Sequence, residues 1–330
     1  MIYVISKSFK PQFNIALEEY CFRTLRHHDK VLMLWRNEPS IILGKFQNTL
    51  EEINMSYVRE NGIHVVRRIS GGGAVYHDRN NLNYTIISNE DKGSEFDFKS
   101  FAGPVIEALE SLGVKVCLSN RNDILINEKK ISGHAQAYIR GRIMHHGCLL
   151  FNSELSALSR ALEIPKDEFI SRGVKSVRSS VDNIYPHLAE KITIEEFTDC
   201  ILHQMKLRFP DMEEYLFSDD ELAEVAKIST EKFSSWEWNF GHSPKYTIKR
   251  KTVFATGELL VCADIKNSVI ENIYFDGAFA LNNSGLSSVE SALLGVKYTR
   301  EDIRERLHQF STDCYLKGIQ INELVGAIVD

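Results

Sequence analysis

The chain of 330 residues has no apolar run of about 18 residues, the length that would be needed to span a membrane. Its start, Met1–Lys7, has no extended apolar stretch either. A spanning helix and a secretory leader are therefore not expected, and the protein reads as soluble and cytoplasmic, with no membrane partner. Six cysteines are scattered with no CxxC pair, which argues against a zinc ribbon or a disulfide framework and suits reduced thiols. Positive charge is not in excess: 39 Lys and Arg against 45 Asp and Glu give a net charge of −6. Nucleic acid is not expected as a partner. Repeats and low-complexity tracts are also lacking, which excludes solenoid and fibrous architectures.

What is present is ordinary globular material, 43% hydrophobic and 25% charged, ample for a sizeable core. At this length one large and one small domain are expected. Phe13, Ala16, Leu17, Tyr20, Cys21 and Leu25 fall on one face of a helix. Val31–Trp35 and Ser40–Leu43 read as strands around an Asn37-Glu38-Pro39 turn, and so do Ile63–Val66 and Leu82–Ile87. Val105, Leu109 and Leu112 mark a helix closed by Gly113. The pattern predicts a mixed α/β (α+β) domain, not a regular βαβ series. The polar, basic stretch 241–251 reads as a linker. Beyond it Thr252–Ala263 and Ser268–Phe275 read as antiparallel strands, followed by helices, one of them capped by Thr299 with Asp302. The expected division is 1–246 and 247–330.

One segment is more informative than any other: Arg67-Arg68-Ile69-Ser70-Gly71-Gly72-Gly73-Ala74-Val75-Tyr76-His77-Asp78. Three successive glycines cost backbone entropy, so they serve either a turn with positive φ or a backbone lying against a ligand. The arginines favour an anionic ligand, although a hairpin turn with charged ends would use the same residues. The segment fits neither GxxxxGK(S/T) nor GxGxxG, so the anion site is of another kind. Asn122–Ile126, a turn at Asn127-Glu128 and a return strand from Lys130 to Gly133 read as a hairpin, where a lysine is most often simply solvated. Asn122 and Asp123 either orient Lys130 or cap the strand. In the strand Met144–Phe151, His145 and His146 point to opposite faces and cannot share a metal ion; His145 is expected on the exposed side. Arg172–Ser180 is a basic loop of small residues. Trp35 reads as core or pocket wall, and Asp78 as a structural turn residue.

In this order and spacing, RRISGGGAVYHD, NDILINEKKISGHAQ, HHG and RGVKSVRSSVDNI resemble the lipoate–protein ligase A family, over essentially the whole chain. That resemblance implies a large mixed-sheet catalytic domain of the biotin/lipoate ligase type and a small α+β accessory domain that changes position. It implies ATP-dependent activation of (R)-lipoate to lipoyl-AMP with release of pyrophosphate, then transfer to a lysine of an acceptor protein. Lys130 and Arg68 would be catalytic. ATP and the adenylate would be held by Arg68, Gly73, Ala74, Val75, Tyr76, Asp123, Lys130, Lys175, Ser176 and Arg178. Lipoate would be held by Arg67, Ser70, Gly72, His77, Lys130 and His146. Mg²⁺ would accompany the triphosphate, since no all-protein carboxylate cage is visible. The implied acceptors are the lipoyl domains of 2-oxoacid dehydrogenase E2 subunits or the glycine-cleavage H protein, and a monomer is the family default.

Rival readings remain. Cys148 shares a strand face with His146, so an ATP-independent lipoyl or octanoyl transferase acting through a thioester is conceivable. A cysteine in Gly-Cys-Leu-Leu-Phe is more often a small core residue. A transferase that takes ready-made lipoyl-AMP is a variant of the same rival. Biotin ligation fits the glycine segment poorly. A lipoate-binding regulator without turnover would be expected to have lost a charged member of the set, yet Arg68, the glycines and Lys130 are all present.

Overall fold

The computed structural model describes residues 1–89, 98–163, 169–171, 173–254, 257–277, 283–309 and 319–329; Arg172 and Cys314 lie outside them. Two compact units interleave along the chain. One comprises Met1–Lys45, Glu60–Leu162 and Ser176–Ser235, the other Phe46–Arg59, Glu163–Lys175 and Trp236–Asp330.

The first unit holds β1 (Ile2–Ile5), β2 (Lys30–Trp35), β3 (Ser40–Leu43), β4 (His64–Arg67), β5 (Val75–His77) and β6 (Asn81–Asn89). It continues with β7 (Cys117–Leu118), β8 (Ile124–Ile126), β9 (Lys129–Ile139), β10 (Arg142–Leu150) and β12 (Glu213–Glu214). Eight of these form a mixed sheet in the order β12-β1-β2-β6-β10-β9-β8-β7, and a separate sheet runs β4-β3-β5. Its helices are α1 (Pro11–Arg23), α3 (Phe98–Ser111), α4 (Leu155–Ala161), α5 (Ile194–Arg208) and α6 (Asp219–Ile228).

Strand alternation gives the large sheet two faces with different roles. Leu34, Leu82, Tyr84 and Leu149 point to one, where Val105 and Leu109 of α3 and Phe197, Ile201 and Met205 of α5 complete a buried cluster. Each such side chain contributes about 1.5–3 kcal/mol by leaving water. The opposite face carries Met33, Thr85 and His146 in register, and beside them Trp35, Asn83, Cys148 and Gly133. Glu18 of α1 lies over that second face, bonded to both Thr85 and His146.

The expected hairpin is β8 and β9. Asn127 and Glu128 both have positive φ, 48° and 65°, which is the conformation of a two-residue type I′ turn. Ile124 is opposite Ser132 while Leu125 is opposite Lys130, so Ile131 is an extra residue. This bulge reverses the alternation and brings Lys130 to the same face as Gly133.

The second unit contains α2 (Met55–Glu60), β11 (Phe169–Ser171), β13 (Tyr246–Phe254), β14 (Gly257–Lys266) and β15 (Val269–Gly277). Its strands form an antiparallel sheet in the order β11-β13-β14-β15. With α7 (Asn283–Leu293), α8 (Arg300–Gln309) and α9 (Ile321–Val329), it buries Ile248, Val261, Ile273, Val289, Leu307 and Val325. Thr299 caps α8 as expected, its Oγ1 accepting from the Asp302 N–H at 3.1 Å.

Two expectations are corrected here. The basic stretch 241–251 is not all linker, because β13 begins at Tyr246. Lys249 and Lys251 point outward, whereas Arg250 is buried and donates to the Ile328 carbonyl at 3.0 Å; the basic run masks a period of two. Thr252–Ala263 is not one strand but the two sides of a hairpin, β13 ending at Phe254 and β14 starting at Gly257. Among the described residues no helix is long and apolar enough to cross a membrane.

Candidate active site

The glycine segment joins β4 to β5. The Arg68 N–H donates to the Leu43 carbonyl at 2.9 Å and the Lys45 N–H to that of Ser70 at 2.8 Å. Of the two uses of glycine that the sequence left open, the positive-φ turn occurs, and the other close approaches seen are to the protein's own atoms. Gly72 has φ +89°, and a Cβ there would come 2.8 Å from the Arg68 guanidinium. A Cβ on Gly73 would meet Ser176 Oγ at 2.9 Å, and one on Gly44 would meet the Gly72 carbonyl oxygen at 2.0 Å.

Arg68, 5% exposed, is turned into this segment. Its Nη2 donates to the carbonyls of Gly71 and Gly73 at 2.6 and 2.8 Å, and its Nη1 to that of Ile42 at 2.9 Å. Arg67 donates to the Gly44 carbonyl at 3.0 Å. Burial lowers both guanidiniums to about 10, so both remain charged at neutral pH. The arginines brace the backbone from within.

Ser176 reaches the same segment, its Oγ accepting from the Ala74 N–H at 2.8 Å. The chain then runs to β9, where the Lys130 N–H donates to the Ser180 carbonyl at 2.9 Å and the Asp182 N–H to the Lys130 carbonyl at 3.0 Å. Lys130 Nζ pairs with Asp123 Oδ1 at 2.8 Å, so of the two readings of Asp123 the structure favours orientation of the lysine. A Cβ on Gly133 would stand 2.7 Å from both Cε and Nζ of Lys130. The missing side chain of Gly133 is therefore the space in which the ammonium lies. A cavity of about 280 Å³ opens beside it, lined by Ser119, Arg121, Asp123, Lys130, Ser179 and Ser180.

Other expected residues are placed as follows. His146 is buried, with Nε2 2.7 Å from Ser70 Oγ and Nδ1 2.8 Å from Glu18 Oε1. His77 is buried beside Asn37 and edge-on to Trp35. Val75 and Tyr76 belong to β5. Asp78 is structural as expected, accepting from the N–H groups of Asn80 and Glu154, each at 2.8 Å. The basic loop is not brought together as a set. Lys175 falls in the second unit and pairs with Glu51 at 2.9 Å, while Arg178 donates to the Leu162 carbonyl at 3.0 Å.

The expectation that His145 is exposed is wrong. It is fully buried and stacks on Phe101 with ring centroids 5.1 Å apart, because its face of β10 is the one that α3 covers. Glu18 and Arg121 were not singled out by sequence, and Ser180 only as the end of the basic loop. Glu18 alone had a signal, a carboxylate one helical turn from Asn14 amid the apolar residues of α1.

The buried histidines make a pH prediction. Burial first, then Arg68, lowers His77 to about 3, and burial holds His145 well below its ordinary value. Unfolded histidines protonate near pH 6.5, so the unfolded chain binds the protons that the folded one rejects. Stability should therefore be full above pH 6.5 and fall below it, by about 1.4 kcal/mol per pH unit for each histidine. Urea unfolding at pH 7 and pH 5 measures the slope. A flat profile would contradict neutral burial.

The braced glycine segment and the lysine seated against Gly133 lie together within one matched catalytic domain, that of the lipoyl protein ligases. Residues 10–206 match the lipoyl protein ligase A/B catalytic domain, and residues 243–328 the bacterial lipoate protein ligase C-terminus. The chain belongs to the lipoyl protein ligase A/B family, as a lipoate–protein ligase with the bacterial C-terminal domain. It is 40% identical to the lipoate-protein ligase LplJ of Bacillus subtilis (strain 168) over 320 residues, 96% of each chain. Among solved structures it is similar to lipoate-protein ligase A bound with ATP, at 25% identity and TM-score 0.63 over 73% of this chain and 98% of that one. It is also similar to protein Ta0514 of T. acidophilum with bound lipoic acid, at 26% identity and TM-score 0.63 over 72% and 98%.

Proposed function

We propose that this protein activates lipoate with ATP and transfers the lipoyl group to a lysine of an acceptor protein. The observation that carries the reading is the seat of Lys130, held by Asp123 and cleared by Gly133. A compact ammonium there can serve a carboxylate and an α-phosphate at once. In the first step a lipoate oxygen attacks the α-phosphorus in line; the new C–O–P bond forms as the α–β bridge breaks and pyrophosphate leaves. In the second the acceptor amine attacks the anhydride carbonyl, AMP departs with the bond electrons, and the amine proton is lost to solvent.

Lys130 offsets charge in the first step, and the backbone from Gly73 to Tyr76, with Ser176, approaches the nucleotide. Arg68 acts by holding that backbone. Arg67, Ser70, Gly72, His77 and His146 are assigned to lipoate. Mg²⁺ is assigned to arrive with the triphosphate, since Asp123 is committed to Lys130. Burial pushes the Cys148 thiol up, though Lys130 draws it down, and a protonated thiol is a poor nucleophile. That favours the ligase over the thioester transferase. We assign residues 1–246 to catalysis and 247–330 to an accessory domain, in a cytoplasmic monomer. Pyrophosphate release that requires both ATP and lipoate tests the reading; release indifferent to lipoate, or none, sinks it.

The acceptors we assign are lipoyl domains of E2 subunits or the H protein, met through local positive charge such as Lys175, whose side chain is 64% exposed. Lys175→Glu is expected to raise the acceptor KM by roughly three- to tenfold, with adenylate formation within about twofold of wild type. Equal losses in both steps would remove Lys175 from the docking surface.

A further inference from the structure

Glu18 is 0% exposed, and the two half-reactions give it no task. Its Oε1 accepts from Thr85 Oγ1 at 2.6 Å and from His146 Nδ1 at 2.8 Å. Its Oε2 is buried with no partner among the described residues. The contacts extend in both directions. Trp35 Nε1 donates to Thr85 Oγ1 at 3.0 Å. On the other side Ser70 Oγ lies 2.7 Å from His146 Nε2 and accepts from Arg68 Nε at 3.0 Å.

Indole and guanidinium nitrogens only donate. Thr85 and Ser70 therefore each receive a proton from the outer end, and each has one hydroxyl proton to pass inward. Thr85 passes its proton to Glu18. Ser70 faces His146 Nε2, and the other ring nitrogen, Nδ1, is directed at the Glu18 carboxylate, which can only accept from it. Both branches end on the same carboxylate oxygen. A buried carboxylate with one unsatisfied oxygen is not a device for stability, since an apolar residue would cost less there.

The spacing of Ser70, His146 and Glu18 is also that of a nucleophilic triad. Ser70, however, is 1% exposed, and its oxygen is engaged by Arg68. It holds; it does not attack.

We propose that Glu18 is a positioning residue for adenylation: through His146 and Ser70 it fixes Arg68, and through Arg68 the carbonyls of Gly71 and Gly73. The proposal rests on the functional reading above for its kinetic consequence, but not for its structural one. α1, β10 and the glycine segment are far apart in sequence, and this chain of hydrogen bonds joins all three.

Two variants test it. Glu18→Gln keeps the shape and an acceptor oxygen and removes the charge; Ser70→Ala cuts the link between His146 and Arg68. Amide hydrogen exchange over residues 69–74 reads the loop without requiring activity. In Glu18→Gln that exchange is expected to rise about tenfold or more, with α3 and α5 unchanged. For pyrophosphate release, kcat should fall about tenfold while the ATP KM stays within about twofold. On the Ser70→Ala background the second change should add less than about twofold. Unchanged loop exchange in Glu18→Gln, or fully multiplicative effects, would overturn the proposal. If the wild type releases no pyrophosphate, the functional reading fails and loop exchange still decides this one. If Glu18→Gln loses protection in α3 and α5, it has not folded. Ser70→Ala alone then decides, and unchanged loop exchange in it counts against the relay.

Discussion

Replacing Lys130 by alanine is expected to lower lipoate-dependent pyrophosphate release by on the order of 10²–10³-fold, the usual cost of removing one preorganised charge from a transition state. The fold should survive. The side chain is 26% exposed and its ion pair is with Asp123, so no core contact goes with it. Partial exposure also keeps that pair's own worth to stability near the modest values of solvated ion pairs. Lys130→Arg should not restore activity. The space beside Gly133 fits a compact ammonium, and a planar guanidinium needs more of it. Steady-state release read alongside thermal melting separates the effects. A loss under about threefold would displace Lys130 from the centre of the site.

Gly133→Ala should reproduce much of that loss without touching a charged residue. The added methyl would stand 2.7 Å from Lys130 Nζ and 3.8 Å from Asp123 Oδ1, so it displaces the ammonium and spares the carboxylate. The obstructed group is the far end of a flexible chain, and the strand need not move. Stability should change by less than about 1 kcal/mol, while adenylate formation falls by about 10- to 100-fold, because misplacement of a reacting group by an ångström is costly. Wild-type activity in a well-folded Gly133→Ala would show that the observed seat of Lys130 is not the working one.

The parts of this site that the sequence exposed are those whose chemistry is local. The glycine segment announces itself because three glycines after paired arginines have few other uses, whereas Lys130, by itself a lysine beside a hairpin turn, is raised only by the family resemblance. What stayed hidden depends on register. Glu18 meets His146 only because α1 lies over the face of the sheet where Thr85 and His146 are paired. The bulge at Ile131, which re-aims Lys130, depends on how β8 pairs with β9. His145 was misjudged for a similar reason: alternation says that it opposes His146, not which of the two faces is covered. Lys249-Arg250-Lys251 looked like a linker because charge hid a strand whose middle residue is buried. The inclusion of Phe46–Arg59 and Glu163–Lys175 in the second unit rests on tertiary packing and has no compositional mark.

The most direct measurement is the intact mass of a purified E2 lipoyl domain after incubation with this protein and lipoate, with and without MgATP. An adenylating ligase adds one lipoyl group to one lysine when ATP is present, with AMP and pyrophosphate as the other products, and adds none when it is omitted. No lipoylation from lipoate and MgATP, together with lipoylation from a preformed acyl thioester when both are omitted, would contradict this and would transfer the chemistry to Cys148.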